Sequence, residues 1–248
     1  MTTRNLLRSL YFFLTMTLWT SELFPSTLIS IKILRVHDTI PNPVKPDTTL
    51  KRYLALGDSY TIGQSVKVNE RYPVQIVESL RTAGYNISDA EIIATSGWTT
   101  RNLLVALKDK EAMPLYDMVT LLIGVNNQYQ GGSIEEYRTE FISLLKKAIR
   151  FAGNRPKRVF VLSIPDYSVT PFAIHADKEK IARELNAFNL LNKRISEIYQ
   201  VNYLNITKES RKAAWDHTLI AYDDLHFSGK EYGIWTTLLV PIIRKVLQ

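Results

Sequence analysis

The feature that most constrains the fold of this chain is the alternation, from residue 48 onward, of short apolar runs with longer amphipathic stretches. The runs are apolar nearly throughout, as strands buried on both faces of a sheet must be. The predicted strands are Tyr53–Leu56, Ala90–Ala94, Met118–Ile123, Val159–Ile164 and Val201–Ile206. This alternation predicts an α/β fold, a three-layer α/β/α sandwich around a central, mostly parallel five-stranded sheet.

Helical periodicity marks the segments between and after these strands. The predicted helices are Tyr72–Ala83, Thr99–Leu107, Ser133–Phe151, Lys178–Tyr199 and Gly229–Leu247. Ser133 and Glu136 have the spacing of a capping box at the start of the third of them. In open parallel sheets, ligands bind beyond the carboxyl ends of the strands, so we expect the functional residues directly after the strands.

The chain of 248 residues is long enough for one α/β domain and too short for two enzymatic domains with linkers. We therefore predict a single domain over residues 48–248, preceded by an extension over residues 1–47. Residues 41–47 carry three prolines, which favours an extended linker at the end of that extension.

The extension contains an apolar run, residues 9–19, that resembles the core of a signal peptide. Arg4 and Arg8 precede it, and it has no acidic residue. The run is too short to span a bilayer well, and no small-x-small cleavage site follows it. The localisation stays open: exported, periplasmic or membrane-tethered if the run acts as a signal, and cytoplasmic otherwise. Membrane contact is expected only through this segment.

Composition narrows the class of protein further. The hydrophobic fraction of 46% and the charged fraction of 22% are those of a globular domain that folds in water. The net charge of +7 comes from lysines and arginines scattered over the helical stretches, which indicates mainly solvated faces, with attraction of anionic substrates or lipid surfaces as the alternative. We expect no nucleic-acid partner. The absence of cysteine excludes disulfides, thiolate catalysis and cysteine-ligated zinc.

The first candidate for chemistry is Ser59, in the sequence Gly57-Asp58-Ser59 directly after the first predicted strand. There the serine begins a tight turn into a helix, and its backbone N–H can point toward a bound oxyanion. The same residues also suit a serine helix cap in a glycine-bounded turn. Tyr60 and Thr61 follow the serine, so this is not the G-x-S-x-G elbow, and the α/β-hydrolase fold is disfavoured.

A serine nucleophile needs a base, and His226 is the best candidate among the four histidines. Asp223 precedes it by three residues on the loop before the last predicted helix. At that spacing the carboxylate can accept a hydrogen bond from the imidazole and stabilise the imidazolium formed during acyl transfer. Asp224 is a second possibility, and we choose Asp223 for its spacing. An aspartate cap beside an ordinary histidine would give the same pattern.

Acyl transfer also needs hydrogen-bond donors for the oxyanion of the tetrahedral intermediate. Gly97 follows the second predicted strand and would offer a backbone N–H. Asn126, in Gly124-Val125-Asn126-Asn127, follows the third and would offer an amide side chain. Each is also compatible with an ordinary loop glycine or an asparagine-rich turn.

Taken in order, these blocks resemble the SGNH/GDSL hydrolase superfamily: Gly57-Asp58-Ser59, then Gly97, then Gly124-x-Asn126, then Asp223-x-x-His226. The resemblance covers the chain from about Lys51 onward. It implies a flavodoxin-like SGNH hydrolase fold and a catalytic triad of Ser59, His226 and Asp223. It also implies an oxyanion hole formed by the Ser59 N–H, the Gly97 N–H and the Asn126 amide.

The third block departs from the family pattern, which is usually Gly-x-Asn-Asp. Asn127 occupies the acidic position, and we expect a structural hydrogen bond to be lost there. The donor role implied for Asn126 is retained, so activity is not excluded.

The function we predict is hydrolysis of carboxylic esters through an acyl-enzyme, with no metal and no cofactor. Short-chain acyl or acetylated carbohydrate esters are favoured, because no lid helix or large apolar insertion is evident. Trp98 and Tyr60 are candidate substrate contacts, and Tyr129 and Phe172 also follow motif positions. Two alternatives stay open: a lysophospholipase or thioesterase, and a non-catalytic flavodoxin-like module that binds phosphate or carbohydrate. The oligomeric state is not predicted.

Overall fold

The computed structural model describes residues 49–110 and 115–248. The predicted extension over residues 1–47, including the apolar run and the proline-rich linker, lies outside the described residues. The domain boundary and the localisation therefore stay predictions. Among the described helices, none combines the length and apolar character needed to cross a lipid bilayer.

The centre of the fold is a five-stranded sheet in the order β2-β1-β3-β4-β5, with every neighbouring pair parallel. The strands are β1 (Tyr53–Gly57), β2 (Glu91–Ala94), β3 (Met118–Leu122), β4 (Val159–Leu162) and β5 (Asn202–Leu204). Every residue of β1, β3 and β4 is buried, which explains why their sequences are apolar at nearly every position. The predicted sheet is confirmed, and all five strands run in the same direction.

Eight α-helices accompany the sheet in the described part of the chain. They are α1 (Ser59–Ile62), α2 (Tyr72–Thr82), α3 (Thr100–Ala106), α4 (Val125–Tyr129), α5 (Ile134–Phe151), α6 (Lys178–Ile198), α7 (Thr207–Ser210) and α8 (Gly229–Leu247). Helices α2 and α8 pack together, while α5 packs against both α3 and α6. These two groups form the outer layers of the sandwich.

The long helices begin and end within one residue of their predicted bounds. Ser133 caps α5 by accepting a hydrogen bond from the N–H of Glu136 at 3.1 Å. The helical turn expected after Ser59 is α1, whereas the sequence does not predict α4 and α7, because a single turn has no apolar periodicity to detect. Helices α1 and α4 follow strands β1 and β3 and carry Ser59 and Asn126, respectively.

Candidate active site

Ser59 is the first residue of α1, at the carboxyl end of β1. Asp58 caps this helix: its Oδ1 accepts a hydrogen bond from the Tyr60 N–H at 3.1 Å. Asp58 is fully buried, and burial raises its pKa to about 7. Because Asp58 provides the cap, the Ser59 side chain is not needed as one. This removes the alternative interpretation of Ser59 as a helix cap.

His226 and Asp223 form a hydrogen-bonded pair on the loop before α8. His226 Nδ1 lies 2.6 Å from Asp223 Oδ2, while Asp223 Oδ1 accepts the backbone N–H of Leu225 at 3.1 Å and that of His226 at 2.9 Å. Burial raises the pKa of Asp223, but these bonds and one from the Ser65 hydroxyl outweigh it and lower the pKa to about 2. The carboxylate is therefore charged at neutral pH.

Ser59 and His226 line one cavity of about 300 Å³. Its walls are formed by Ser59, Tyr60, Val125, Asn126, Tyr129, Tyr167, Phe172, Leu225 and His226. Among the described residues, no hydrogen bond joins the Ser59 hydroxyl to His226. Such a bond commonly tightens only when substrate is bound. The nucleophile and base candidates thus share one cavity, with Asp223 bonded to the imidazole.

Asn126 lies in α4 and faces this cavity, where its side chain is held by the loop that contains Gly97. Asn126 Nδ2 donates to the Trp98 carbonyl at 2.9 Å, which leaves its second amide hydrogen for another acceptor. The preceding Gly124 has φ +129, and a Cβ there would lie 2.7 Å from the Tyr137 ring. Only glycine fits at that position, so the Gly-x-Asn spacing has a steric cause.

Gly97 is exposed on the loop between β2 and α3 and does not line the cavity. Its φ of +82 is in the region that favours glycine, although no atom lies within 4 Å of the position of a Cβ. Within the described part of the chain, the N–H groups of Gly97 and Ser59 donate no hydrogen bond. Both are therefore unpaired donors at the carboxyl edge of the sheet, one at the start of α1 and one on the loop after β2.

Asn127 replaces the usual aspartate with no loss of hydrogen bonding, contrary to the expectation from the sequence. Its Oδ1 accepts the Thr100 N–H at 3.0 Å, and its Nδ2 donates to Thr100 Oγ1 at 2.7 Å. The Thr100 hydroxyl in turn donates to Glu140 Oε2 at 2.5 Å. All three side chains are buried. Asparagine suits this place because the threonine gives its only proton to Glu140 and needs a donor in return.

We therefore expect Asn127→Asp, which restores the family residue, to destabilise the protein. The aspartate cannot donate to Thr100 and adds a second carboxylate beside Glu140, at a cost of about 1–3 kcal/mol. Urea unfolding at pH 7 would measure this loss. The loss should shrink at pH 4, because a protonated aspartate regains a donor.

The matched control is the double variant Asn127→Asp/Glu140→Gln, in which only one carboxylate remains at the site. This double variant should recover part of the stability lost by Asn127→Asp. An Asn127→Asp protein as stable as the parent would contradict this account of the cluster.

The two predicted substrate contacts lie in different surroundings. Tyr60 lines the cavity but is only 2% exposed, and its ring meets the edge of the His226 ring at a centroid distance of 5.7 Å. Trp98 is half-buried, packs against the core and does not line the cavity. Their roles as substrate contacts stay predictions.

One side of the cavity is formed by three aromatic residues, Tyr129, Tyr167 and Phe172, which we call the aromatic wall. Their ring centroids lie 6.1–6.5 Å apart. The sequence points to Tyr129 and Phe172 but not to Tyr167. Tyr167 lies a few residues beyond the end of β4, so the rule that places ligands at the carboxyl ends of strands could have identified it.

The residues described in the structure contain no cluster of three or more histidine, aspartate or glutamate side chains that could hold a metal ion. The polar residues that line the cavity are Ser59, Asn126 and His226, together with three tyrosines. This arrangement can supply a nucleophile, a base and a hydrogen-bond donor.

The parallel sheet and a family match over most of the chain define a serine hydrolase that acts on ester bonds. The model of the GDSL-like lipase/acylhydrolase family matches residues 55–234. The chain belongs to this family, which confirms the resemblance drawn from the sequence and removes the alternative of a non-catalytic binding module.

Solved structures that resemble this chain share its fold at low sequence identity. TesA matches at a TM-score of 0.62 and 15% identity over 79% of this chain and 99% of TesA. The acetylxylan esterase Axe2 from Geobacillus stearothermophilus matches at 0.61 and 18%, over 78% and 94%. The esterase EstA from Pseudoalteromonas sp., in a structure inhibited by monoethylphosphonate, matches at 0.58 and 19%, over 79% and 98%. No curated protein sequence matches the chain significantly.

Proposed function

We propose that Ser59 is the nucleophile of a two-step acyl transfer, with His226 as general base and Asp223 as the group that orients the imidazole. The observation that carries this proposal is the 2.6 Å contact between His226 Nδ1 and Asp223 Oδ2, on an imidazole that lines the same cavity as Ser59. With Nδ1–H bonded to the carboxylate, Nε2 is the nitrogen available to take the serine proton.

In the first step, His226 takes the proton of Ser59, and Oγ bonds to the carbonyl carbon of the ester. The bond from that carbon to the alcohol oxygen then breaks, and the imidazolium returns the proton to the departing alcohol. In the second step, water loses a proton to His226 and attacks the acyl-enzyme, which releases the carboxylic acid and restores Ser59. Asp223 stays charged throughout and stabilises the imidazolium.

The oxyanion of each tetrahedral intermediate would be bound by the Ser59 N–H, the Gly97 N–H and the Asn126 side chain. The N–H groups of Ser59 and Gly97 donate no hydrogen bond within the described residues, which supports this assignment. The bond from Asn126 Nδ2 to the Trp98 carbonyl supports it as well, because it fixes the amide before the substrate arrives. Donors held in place in advance need no reorganisation as negative charge develops.

For the substrate, we propose short-chain acyl esters, including acetylated carbohydrates. The cavity volume of about 300 Å³ lies at the small end of the range for ligand sites, which favours a small acyl group. In the aromatic wall, Tyr129 is 59% exposed and Phe172 is 47% exposed, so both rings offer open faces on which a sugar ring can stack. Among the similar folds, Axe2 is an acetylxylan esterase.

A panel of esters of graded chain length tests the substrate proposal. We expect kcat/KM for p-nitrophenyl esters to fall at least about tenfold from acetate to octanoate, because a chain that is longer than the cavity must clash with its walls or displace them, at a cost of about 1–3 kcal/mol. Acetylated xylo-oligosaccharides should release acetate faster than lysophosphatidylcholine or palmitoyl-CoA releases its fatty acid.

The opposite order of rates would favour the lysophospholipase or thioesterase alternative. In that outcome kcat/KM would rise steadily from acetate to palmitate, and the serine mechanism would be unaffected. The panel therefore separates the substrate proposal from the catalytic one.

A further inference from the structure

We propose that Ser65 is a positioning residue for the catalytic site, which holds the Asp223 carboxylate in the orientation that His226 requires. This inference rests on the proposed function. Ser65 Oγ donates to Asp223 Oδ2 at 2.5 Å, and the same oxygen receives His226 Nδ1 at 2.6 Å. Ser65 reaches Asp223 across 158 positions of sequence, so it links the loop after α1 to the loop before α8.

With Ser65 included, each oxygen of Asp223 has two hydrogen-bond donors. Oδ1 receives the backbone N–H groups of Leu225 and His226, which fix the carboxylate to its own loop. Oδ2 receives the Ser65 hydroxyl and the imidazole. Without the hydroxyl, the only donor on Oδ2 from the described residues would be the imidazole, which must itself be oriented. Ser65 therefore acts on the imidazole through the carboxylate.

The backbone of Ser65 supports a role for its side chain. Its φ is +65, a region that glycine occupies freely and that strains other residues. The loop is held in this form by hydrogen bonds from the Gln64 N–H to the Ser59 carbonyl at 2.9 Å and from Ser96 Oγ to Gln64 Oε1 at 2.8 Å. Strained backbone at a non-glycine residue is expected where function requires its side chain. Ser65 fits this expectation, because its side chain is hydrogen-bonded to a proposed catalytic group.

The neighbouring bonds also place Ser65 centrally among the site loops. Gln64 contacts the start of α1 and the loop that carries Gly97, while Ser65 contacts the loop of Asp223 and His226. One short segment thus touches three of the segments that carry proposed catalytic groups. Within this segment, the Ser65 hydroxyl makes the side-chain hydrogen bond to Asp223 of the proposed triad.

Two substitutions separate positioning from simple structural support. Ser65→Gly and Ser65→Ala both remove the hydroxyl, but glycine relieves the strain at φ +65 and alanine keeps it. We expect both variants to lose about tenfold in kcat with KM within about twofold of the parent, since a hydrogen bond to a charged group is lost. The melting temperature should fall less in Ser65→Gly than in Ser65→Ala, because only glycine relieves the backbone strain.

A proton NMR signal gives a readout that a structural role would not move. The Nδ1–H of His226, identified by its loss in His226→Ala, should shift or broaden in both Ser65 variants because its acceptor has lost a second donor. The matched control is Gln200→Gly, which relieves strain at φ +56 just before β5. This control should leave kcat and the Nδ1–H signal unchanged.

The outcomes separate this inference from the proposed function. If Asp223→Asn is inactive, two results would overturn the role of Ser65 alone. One is a kcat of Ser65→Gly equal to that of the parent, and the other is a kcat that changes in proportion to the melting temperature in the two Ser65 variants. An unchanged Nδ1–H signal in both variants would also overturn it. Full activity in Asp223→Asn would instead overturn the proposed triad.

Discussion

Ser59→Ala is expected to lower kcat for p-nitrophenyl acetate by about 10⁴-fold or more, because the proposed acyl-enzyme can no longer form. The fold should be unaffected, since the Ser59 side chain makes no hydrogen bond within the described part of the chain and Asp58 supplies the helix cap. The residual rate would come from the proposed oxyanion donors, which would still stabilise attack by water.

A fluorophosphonate probe tests the same residue by a covalent readout. Ser59 Oγ should form a bond to phosphorus with release of fluoride, and peptide mapping should place the adduct on Ser59 in the parent and nowhere in Ser59→Ala. Ser143→Ala is the matched control, because Ser143 is an exposed serine of α5 whose hydroxyl bonds the Thr139 carbonyl of its own helix. Hydrolysis or labelling that persists in Ser59→Ala would show that another residue is the nucleophile.

The sheet and the long helices can be predicted from the sequence because they depend on local patterns. Buried parallel strands must be apolar throughout, and the long helices repeat their apolar residues every three or four positions. The ends of the strands are less certain. The apolar pattern predicts that the fourth strand extends to Ile164, yet β4 ends at Leu162. The pattern reports burial, and the chain stays buried through Ile164, after its pairing with the neighbouring strands ends.

The motif residues can also be identified, because each follows a strand or precedes the last helix. Other parts of the site depend on contacts between distant segments and cannot be predicted. The bond between Ser65 and Asp223 requires a positive φ that no sequence pattern indicates. The prediction of a lost hydrogen bond at Asn127 is wrong for the same reason. Asn127 bonds to Thr100, and the Thr100 hydroxyl accepts from Asn127 because it gives its own proton to Glu140, which lies on a different helix, α5.

The residues that form the cavity walls can be predicted only in part, because some of them lie in segments without a periodic pattern. Tyr167 and Phe172 lie in short 3₁₀ turns, Tyr167–Val169 and Pro171–Ala173, between β4 and α6. Such turns have no periodicity, and aromatic residues in loops are more often packing than ligand contacts. The size of the cavity, on which the substrate proposal depends, is therefore a result of the three-dimensional structure.

Asp223→Asn is the second substitution expected to have a large effect, a loss of about 10⁴-fold in kcat at neutral pH. The new asparagine side chain can keep the two backbone bonds through its oxygen, so its NH₂ group would face His226 Nδ1 and donate to it. The imidazole would then carry its proton on Nε2, the nitrogen that accepts the proton of Ser59 in the proposed mechanism. Steady-state kinetics at pH 7–8 would measure the loss.

Asp224→Asn is the matched control, because the sequence alone leaves both aspartates as candidates. Asp224 is exposed, and at its φ of +62 asparagine is accommodated as readily as aspartate. Its kcat should stay within about twofold of the parent. Equal losses in the two variants would contradict the assignment of Asp223.

The pH dependence of stability gives an independent check on the same carboxylate. The folded-state pKa of Asp223 is about 2, below the ordinary value of 3.8 that an unfolded chain would have. Its contribution to stability is therefore complete above pH 3.8 and is lost as the pH falls through about 2. Asp223→Asn lacks this contribution, so the difference in melting temperature between the parent and the variant should narrow as the pH falls from 3.8 toward about 2. A gap that stays constant over this range would mean that Asp223 is not held as a charged group by its four donors.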